Sequence, residues 1–129
     1  MSHIYLISPS SSTLRPINKK KDKKTGKPLV YPKANNLDVK FGIHKSGGLS
    51  TLQTRYKYYI GDYTARLIVE GKYEDLLIFE RHLKDNVFVK YINDFRSKTN
   101  NFNTKEWMTN ISMFEAAKII DNEYKKFSA

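Results

Sequence analysis

Val39-Lys40-Phe41-Gly42-Ile43-His44-Lys45 is the stretch from which the fold can be read. Val39, Phe41 and Ile43 alternate with Asp38, Lys40 and Gly42, the period of a strand with one apolar and one polar face over 37–44. Ser46-Gly47-Gly48 then makes a turn, and a helix is expected over 49–59, with Ser50 or Thr51 near its cap and Leu52, Tyr56 and Tyr59 at helical spacing. Working outward to the N-terminus, His3-Ile4-Tyr5-Leu6-Ile7-Ser8 alternates and is rich in β-branched and aromatic residues, so it reads as a first strand, ended by Pro9 and the serines that follow. Toward the C-terminus, Thr64 to Glu70 puts Ala65, Leu67 and Val69 on one face of a third strand. Tyr73 to Lys84 reads as an amphipathic helix with a wide stripe of Leu76, Leu77, Ile78, Phe79 and Leu83. Residues 87–95 form a short strand or a helical turn, 97–104 an Asn-rich loop, and Glu106-Trp107-Met108 a short buried anchor. A capping box of Ser112 and Glu115 opens a final helix over 113–127. The order β-β-α-β-α-α predicts a small α/β (α+β) domain: an antiparallel hairpin plus a third strand, with helices packed on it.

At 129 residues the chain is one domain, 1–129, large enough to bury a core without staples. It has no cysteine, which excludes a disulfide framework, a thiolate metal site and a thiol nucleophile. No apolar run approaches the roughly 18 residues of a spanning helix, and the patch Ile4 to Ile7 is too short for a signal peptide, so an intracellular protein without a membrane partner is expected. The net charge of +10 points to a polyanionic partner, most often nucleic acid. Lysine outnumbers arginine 18 to 5, and this bias of AT-rich genomes accounts for part of that charge. It does not account for there being only 13 acids.

The positive charge concentrates between the first two strands. Arg15 to Lys33 holds eight basic residues against Asp22, with Pro16, Pro28, Pro32 and Gly26 interspersed. Charge repulsion and proline exclude a packed helix, so a basic loop is expected over about 9–36. Lys19, Lys20, Lys21, Lys23, Lys24 and Lys27 are its candidate phosphate contacts. A solvated insertion or a localisation signal would carry the same composition.

No established metal or phosphate motif is present. His3, His44 and His82 are scattered, and Ser46-Gly47-Gly48-Leu49 lacks the Gly-Lys-Ser/Thr ending of a phosphate loop. What remains is a set of single polar residues at element edges: Tyr5, Lys40, Arg55 and Glu80. Glu80 stands beside an apolar stripe, and taken alone it is a salt-bridge partner for Arg81 or Lys84. Taken together the four suit phosphoryl chemistry. A hard divalent cation takes carboxylate oxygen, an arginine neutralises charge on a phosphate, and a tyrosine or lysine orients or deprotonates water.

These residues, in this order, resemble the GIY-YIG nuclease superfamily. The likeness is to the phage and large-DNA-virus branch in which the second signature begins with lysine. His3-Ile4-Tyr5 stands as the first signature and Lys40-Phe41-Gly42 as the second; Arg55 in Leu52-Gln53-Thr54-Arg55 matches the helix arginine, and Glu80 the metal-binding glutamate. Glu106-Trp107-Met108 is similar to a Glu-Trp-Phe of that branch. The position after the arginine that carries His or Tyr falls on Tyr59 or Tyr58, and Asn101 and Asn103 are candidates for a late asparagine. Tyr59-Ile60-Gly61 is rejected as the second signature, since it would leave only Arg66, inside the third strand, as the arginine.

The resemblance implies a three-stranded, mostly antiparallel sheet flanked by helices. It also implies a metal-dependent endonuclease that hydrolyses DNA phosphodiesters with Mg²⁺ or Mn²⁺ held by Glu80, and Tyr5, Lys40, Arg55 and Tyr59 as the other catalytic positions. Three departures bear on this. His3 replaces a glycine, Lys40 replaces a tyrosine, and the basic segment lengthens the gap between the signatures. A lysine acts as base only if its pKa falls; otherwise it binds phosphate as a cation. The alternative is a nuclease-derived nucleic-acid-binding protein without catalysis.

Overall fold

The computed structural model describes residues 1–9, 16–21, 26, 28–30, 37–56, 63–99 and 105–129. Its elements run β1 (Ser2–Pro9), β2 (Pro16–Lys21), β3 (Pro28–Val30), β4 (Asp38–His44), α1 (Leu49–Tyr56), β5 (Tyr63–Gly71) and α2 (Tyr73–His82). A five-residue π-helical turn (Leu83–Val87) follows, then α3 (Val89–Thr99), β6 (Trp107–Thr109) and α4 (Met113–Phe127). The main sheet has four strands in the order β5-β1-β4-β6, all antiparallel. It is an α+β fold, with one strand more than the three expected: the Glu-Trp-Met anchor pairs with β4 as β6, Lys40 opposite Trp107. No helix among the described residues is long and apolar enough to cross a membrane.

Strand β1 is central, with β4 on one side (Tyr5 opposite Gly42, Ile7 opposite Lys40) and β5 on the other. Both faces of the sheet are covered, so strand alternation sorts residues between two cores. Ile4, Leu6, Val39, Phe41 and Met108 face Leu76 and Phe79 of α2, Leu83, Phe88, Ile92 of α3, and Ala116 and Ile120 of α4. Tyr5, Ile7, Ala65 and Trp107 face Leu52 and Tyr56 of α1 and Phe95 of α3. Each fully buried Leu or Phe contributes roughly 1.5–3 kcal/mol. The polar face of β4 therefore lies in the second core and not in solvent: Asp38 and Lys40 are both buried.

The expected split of β4 into a Val39/Phe41 face and an Asp38/Lys40/Gly42 face holds, as do the bounds of β1, β5 and α4 to within a residue or two. The single Ala65/Leu67/Val69 face expected of β5 does not: an irregularity in its pairing with β1, opposite Ile4 and Tyr5, puts Val69 in the first core while Ala65 and Leu67 pack in the second. Three other expectations change. The helix expected over 73–84 stops at His82, where the chain widens into the π turn: the Phe88 N–H donates to the Leu83 carbonyl at 2.8 Å, five residues back. Residues 87–95, left open as strand or helical turn, belong to α3, which runs to Thr99 into the stretch expected as an Asn-rich loop. Ile92 and Phe95, three apart, each bury in one of the two cores, and this helical spacing wins over the β-branched composition. Within the basic loop, β2 and β3 pair antiparallel, Ile17 opposite Leu29, as a small separate sheet.

Candidate active site

The site is built outward from Gly42. A β-carbon there would lie 2.7 Å from the Tyr5 hydroxyl and 3.0 Å from its ring, because the Tyr5 ring lies across the glycine on the neighbouring strand. Only a residue without a side chain permits that approach. Lying flat, Tyr5 brings its hydroxyl to Lys40, two residues along β4 and on the same face. The Lys40 Nζ donates to Tyr5 Oη at 2.8 Å. The Tyr5 and Tyr56 hydroxyls share a hydrogen bond of 2.7 Å, their ring centroids 5.9 Å apart.

Lys40 also donates to Glu106 Oε2 at 2.7 Å. Glu106 is fixed by its backbone, whose carbonyl accepts from the Phe41 N–H at 2.9 Å just before β6 begins. Its other carboxylate oxygen lies 3.5 Å from Lys84 Nζ, and Lys84 donates in turn to Glu80 Oε1 at 3.0 Å. A continuous polar chain thus runs Tyr56–Tyr5–Lys40–Glu106–Lys84–Glu80, from the second core around the β6 edge of the sheet to α2. The two tyrosines and Lys40 are buried; the Glu106 side chain is 38% exposed. Arg55 stands at the other end, exposed, its guanidinium 5.3 Å from the centroid of the Tyr56 ring.

The protonation states follow from this packing. Burial pushes the Tyr5 phenol well above its usual range; the Lys40 ammonium pulls it down and Tyr56 pushes it up, and burial prevails. Burial also works against the Lys40 ammonium, but Tyr5, Tyr56 and Glu106 outweigh it and hold the ammonium above the usual lysine range. Of the two roles open to Lys40 from sequence, this direction is that of the cation, with the Glu106 carboxylate as its charged partner. Glu106, despite burial that raises its pKa, is held below the usual carboxylate value by Lys40 first and Lys84 second.

Of the residues singled out in the sequence, Tyr5 and Lys40 touch, Glu80 joins them through Lys84 and Glu106, and Arg55 adjoins through Tyr56. Tyr59, Asn101 and Asn103 lie outside the described residues, as do Lys23, Lys24 and Lys27; Lys19, Lys20 and Lys21 lie on β2. His3, at the first signature's glycine position, stands opposite His44 and 3.7 Å from Glu70. The salt bridge expected of Glu80 taken alone is present, to Lys84 at 3.0 Å; sequence reasoning missed the Tyr56 hydroxyl and the place of Glu106 between Lys40 and Lys84. Glu106 had a signal: it is the lone acid between Asp94 and Glu115 and directly precedes a tryptophan.

The donor set suits a hard divalent ion of low protein coordination. Glu80 and Glu106 offer carboxylate oxygens with a cation already between them. Magnesium takes one or two carboxylates and keeps its waters. Among the described residues no group of three or more His, Cys, Asp or Glu side chains is arranged to hold a metal ion, so any ion here would rest on these two carboxylates and water. No protein-family model matches the chain, and no curated protein or solved structure matches it significantly.

Proposed function

We propose that the chain is a metal-dependent endonuclease that hydrolyses DNA phosphodiester bonds at the Tyr5–Lys40–Glu80 network. One observation carries the reading: three residues from β1, β4 and α2, up to 75 positions apart, are joined through hydrogen-bonded polar groups, with an exposed arginine against Tyr56 at the far end from Glu80. Glu80 would hold Mg²⁺ or Mn²⁺, and the ion would supply Lewis-acid stabilisation of charge on the leaving oxygen. Arg55, exposed beside the Tyr56 ring, would bind a phosphate oxygen. Lys40 fixes the Tyr5 hydroxyl and supplies a positive field at the same place. Tyr5, buried and bonded to Lys40 and Tyr56, would act through those two groups, by holding them in place. The net charge of +10, with lysines on β2, suits a DNA backbone.

A second reading, a nucleic-acid-binding protein that does not cleave, draws on the depth at which Tyr5 and Lys40 are buried and on the occupation of Glu80 by Lys84. Supercoiled plasmid incubated with the protein separates the two. The first predicts nicking that requires Mg²⁺ or Mn²⁺, stops with chelator and is lost in Glu80→Gln. The second predicts gel retardation without nicking under every metal condition.

A further inference from the structure

We propose that the Lys84 ammonium is a built-in stand-in for the divalent ion, and that metal binding at Glu80 displaces it and recruits Glu106 as a second carboxylate. The inference rests on the reading that Glu80 holds the metal. It starts from a contrast between the two lysines of the network. Lys40 is buried and held at 2.7 and 2.8 Å by Glu106 and Tyr5. Lys84 is 24% exposed and held at 3.0 and 3.5 Å. The 3.5 Å contact is the longest link in the chain, so the network is weakest where Lys84 meets Glu106.

Lys84 is not a helix-surface pair of the ordinary kind. Its spacing from Glu80 is that of an i,i+4 helix pair, but it also meets Glu106, 22 residues away. The π turn that begins at Leu83 sets Lys84 where α2 ends, against the backbone-pinned start of β6. A cation shared by two carboxylates from separate elements marks a point of negative potential. A long, flexible ammonium stem can leave such a point for solvent at small cost.

Charge supplies the functional consequence. Two carboxylates and two ammonium groups make a neutral cluster. Exchanging one ammonium for a divalent ion leaves the cluster with a net positive charge, which attracts a phosphodiester. The metal-free protein would hold a self-neutralised site, and the metal-loaded one a cationic site with Lys84 released toward the substrate.

Mn²⁺ binding to the full chain, read from the free-ion spectroscopic signal, tests this without any activity assay. Lys84→Met should tighten Mn²⁺ binding by about 3- to 5-fold, the upper part of the range expected for removing a competing ion pair. Lys90→Met, which removes the same charge from an exposed position on α3, should change it by less than about twofold, as screening over distance requires. Glu106→Gln should weaken it. Amine acylation of the wild-type protein, mapped by mass spectrometry, gives a second reading that no variant's folding can disturb: Lys84 labelling should rise on adding Mg²⁺ relative to Lys90. Unchanged Mn²⁺ affinity in Lys84→Met, or a change equal to that of Lys90→Met, would overturn the displacement, as would Lys84 labelling indifferent to Mg²⁺. If Glu80→Gln bound Mn²⁺ as tightly as wild type, the metal reading itself would fall and the inference with it. Lost binding in Glu80→Gln with an inert Lys84 would sink the inference alone.

Discussion

Replacing Gly42 by alanine should disable the network through a single methyl group. The added carbon would sit 2.7 Å from the Tyr5 hydroxyl and 3.0 Å from two ring carbons. Tyr5 cannot swing away freely, since it is 1% exposed and packed among Ile7, Leu52, Tyr56 and Trp107. Overpacking of this kind costs roughly 1–3 kcal/mol. A shift that breaks the bonds of 2.8 and 2.7 Å to Lys40 and Tyr56 removes two buried hydrogen bonds of roughly 0.5–1.5 kcal/mol each. Gly42→Ala should therefore destabilise by about 3 kcal/mol, a fall in Tm of roughly 10 °C for a domain of this size. The effect should be non-additive with Tyr5→Phe. Phenylalanine has already lost the hydroxyl bonds and the 2.7 Å clash, so Gly42→Ala on that background should cost only about 1–2 kcal/mol. Urea unfolding of the four proteins closes the cycle. A Gly42→Ala cost below about 0.5 kcal/mol, or full additivity with Tyr5→Phe, would refute the claim that the glycine exists to admit the Tyr5 ring.

Three further outcomes follow from the same geometry. Tyr5 and Lys40 both have raised folded-state pKa values, so the stability they lend is complete below the unfolded values of about 10 and is lost as pH rises toward the folded ones. Urea unfolding between about pH 9.5 and 11 should show stability falling more steeply in wild type than in Tyr5→Phe, and equal slopes would contradict the assignment. Lys98→Met should cost about 2–3 kcal/mol, because it strips the fully buried Asp38 carboxylate of an ammonium that is 2.9 Å from both its oxygens; Asp38→Asn in that background should recover part of the loss. Changing Lys19, Lys20 and Lys21 together to Gln should lower the slope of log affinity for duplex DNA against log salt by up to about 3, measured by fluorescence anisotropy, and an unchanged slope would remove β2 from the DNA contact.

The strands and most helices were legible because their signals are local: alternation in β1, β4 and β5, and a capping box at Ser112, whose hydroxyl accepts from the Glu115 N–H at 3.1 Å. The pairing of Tyr5 with the Lys40-Phe41-Gly42 strand was legible from order alone, since adjacent β-rich segments pair. What was not legible is the depth of the site. A polar face on a strand usually meets water, and nothing near Lys40 in sequence tells that α1, Phe95 and Trp107 close over it. The link between Glu106 and Lys84 escaped for a related reason. Glu106 before Trp107 and Lys84 four residues from Glu80 are each visible in sequence, but they meet only when β6 pairs with β4 and the π turn brings Lys84 to the same edge. Tyr56 read as one more apolar position at helical spacing, and its hydroxyl counts only because Tyr5 lies flat over Gly42.

If the polar chain from Tyr5 to Glu80 cleaves DNA, as proposed, and does not merely hold the fold together, cleavage depends on its Glu80 end. The most direct test is the single-turnover cleavage rate of duplex DNA in Mn²⁺, measured beside DNA affinity for wild type and Glu80→Gln. Glu80 lies at the far end of the network from the buried tyrosines, and glutamine keeps its size, so the variant should keep its fold and bind DNA within about threefold of wild type. The account predicts that its cleavage rate falls by at least about a thousandfold, the loss expected when the ligand of an essential ion is removed. Cleavage at the wild-type rate by Glu80→Gln, or none by the wild-type protein in either metal, would contradict it.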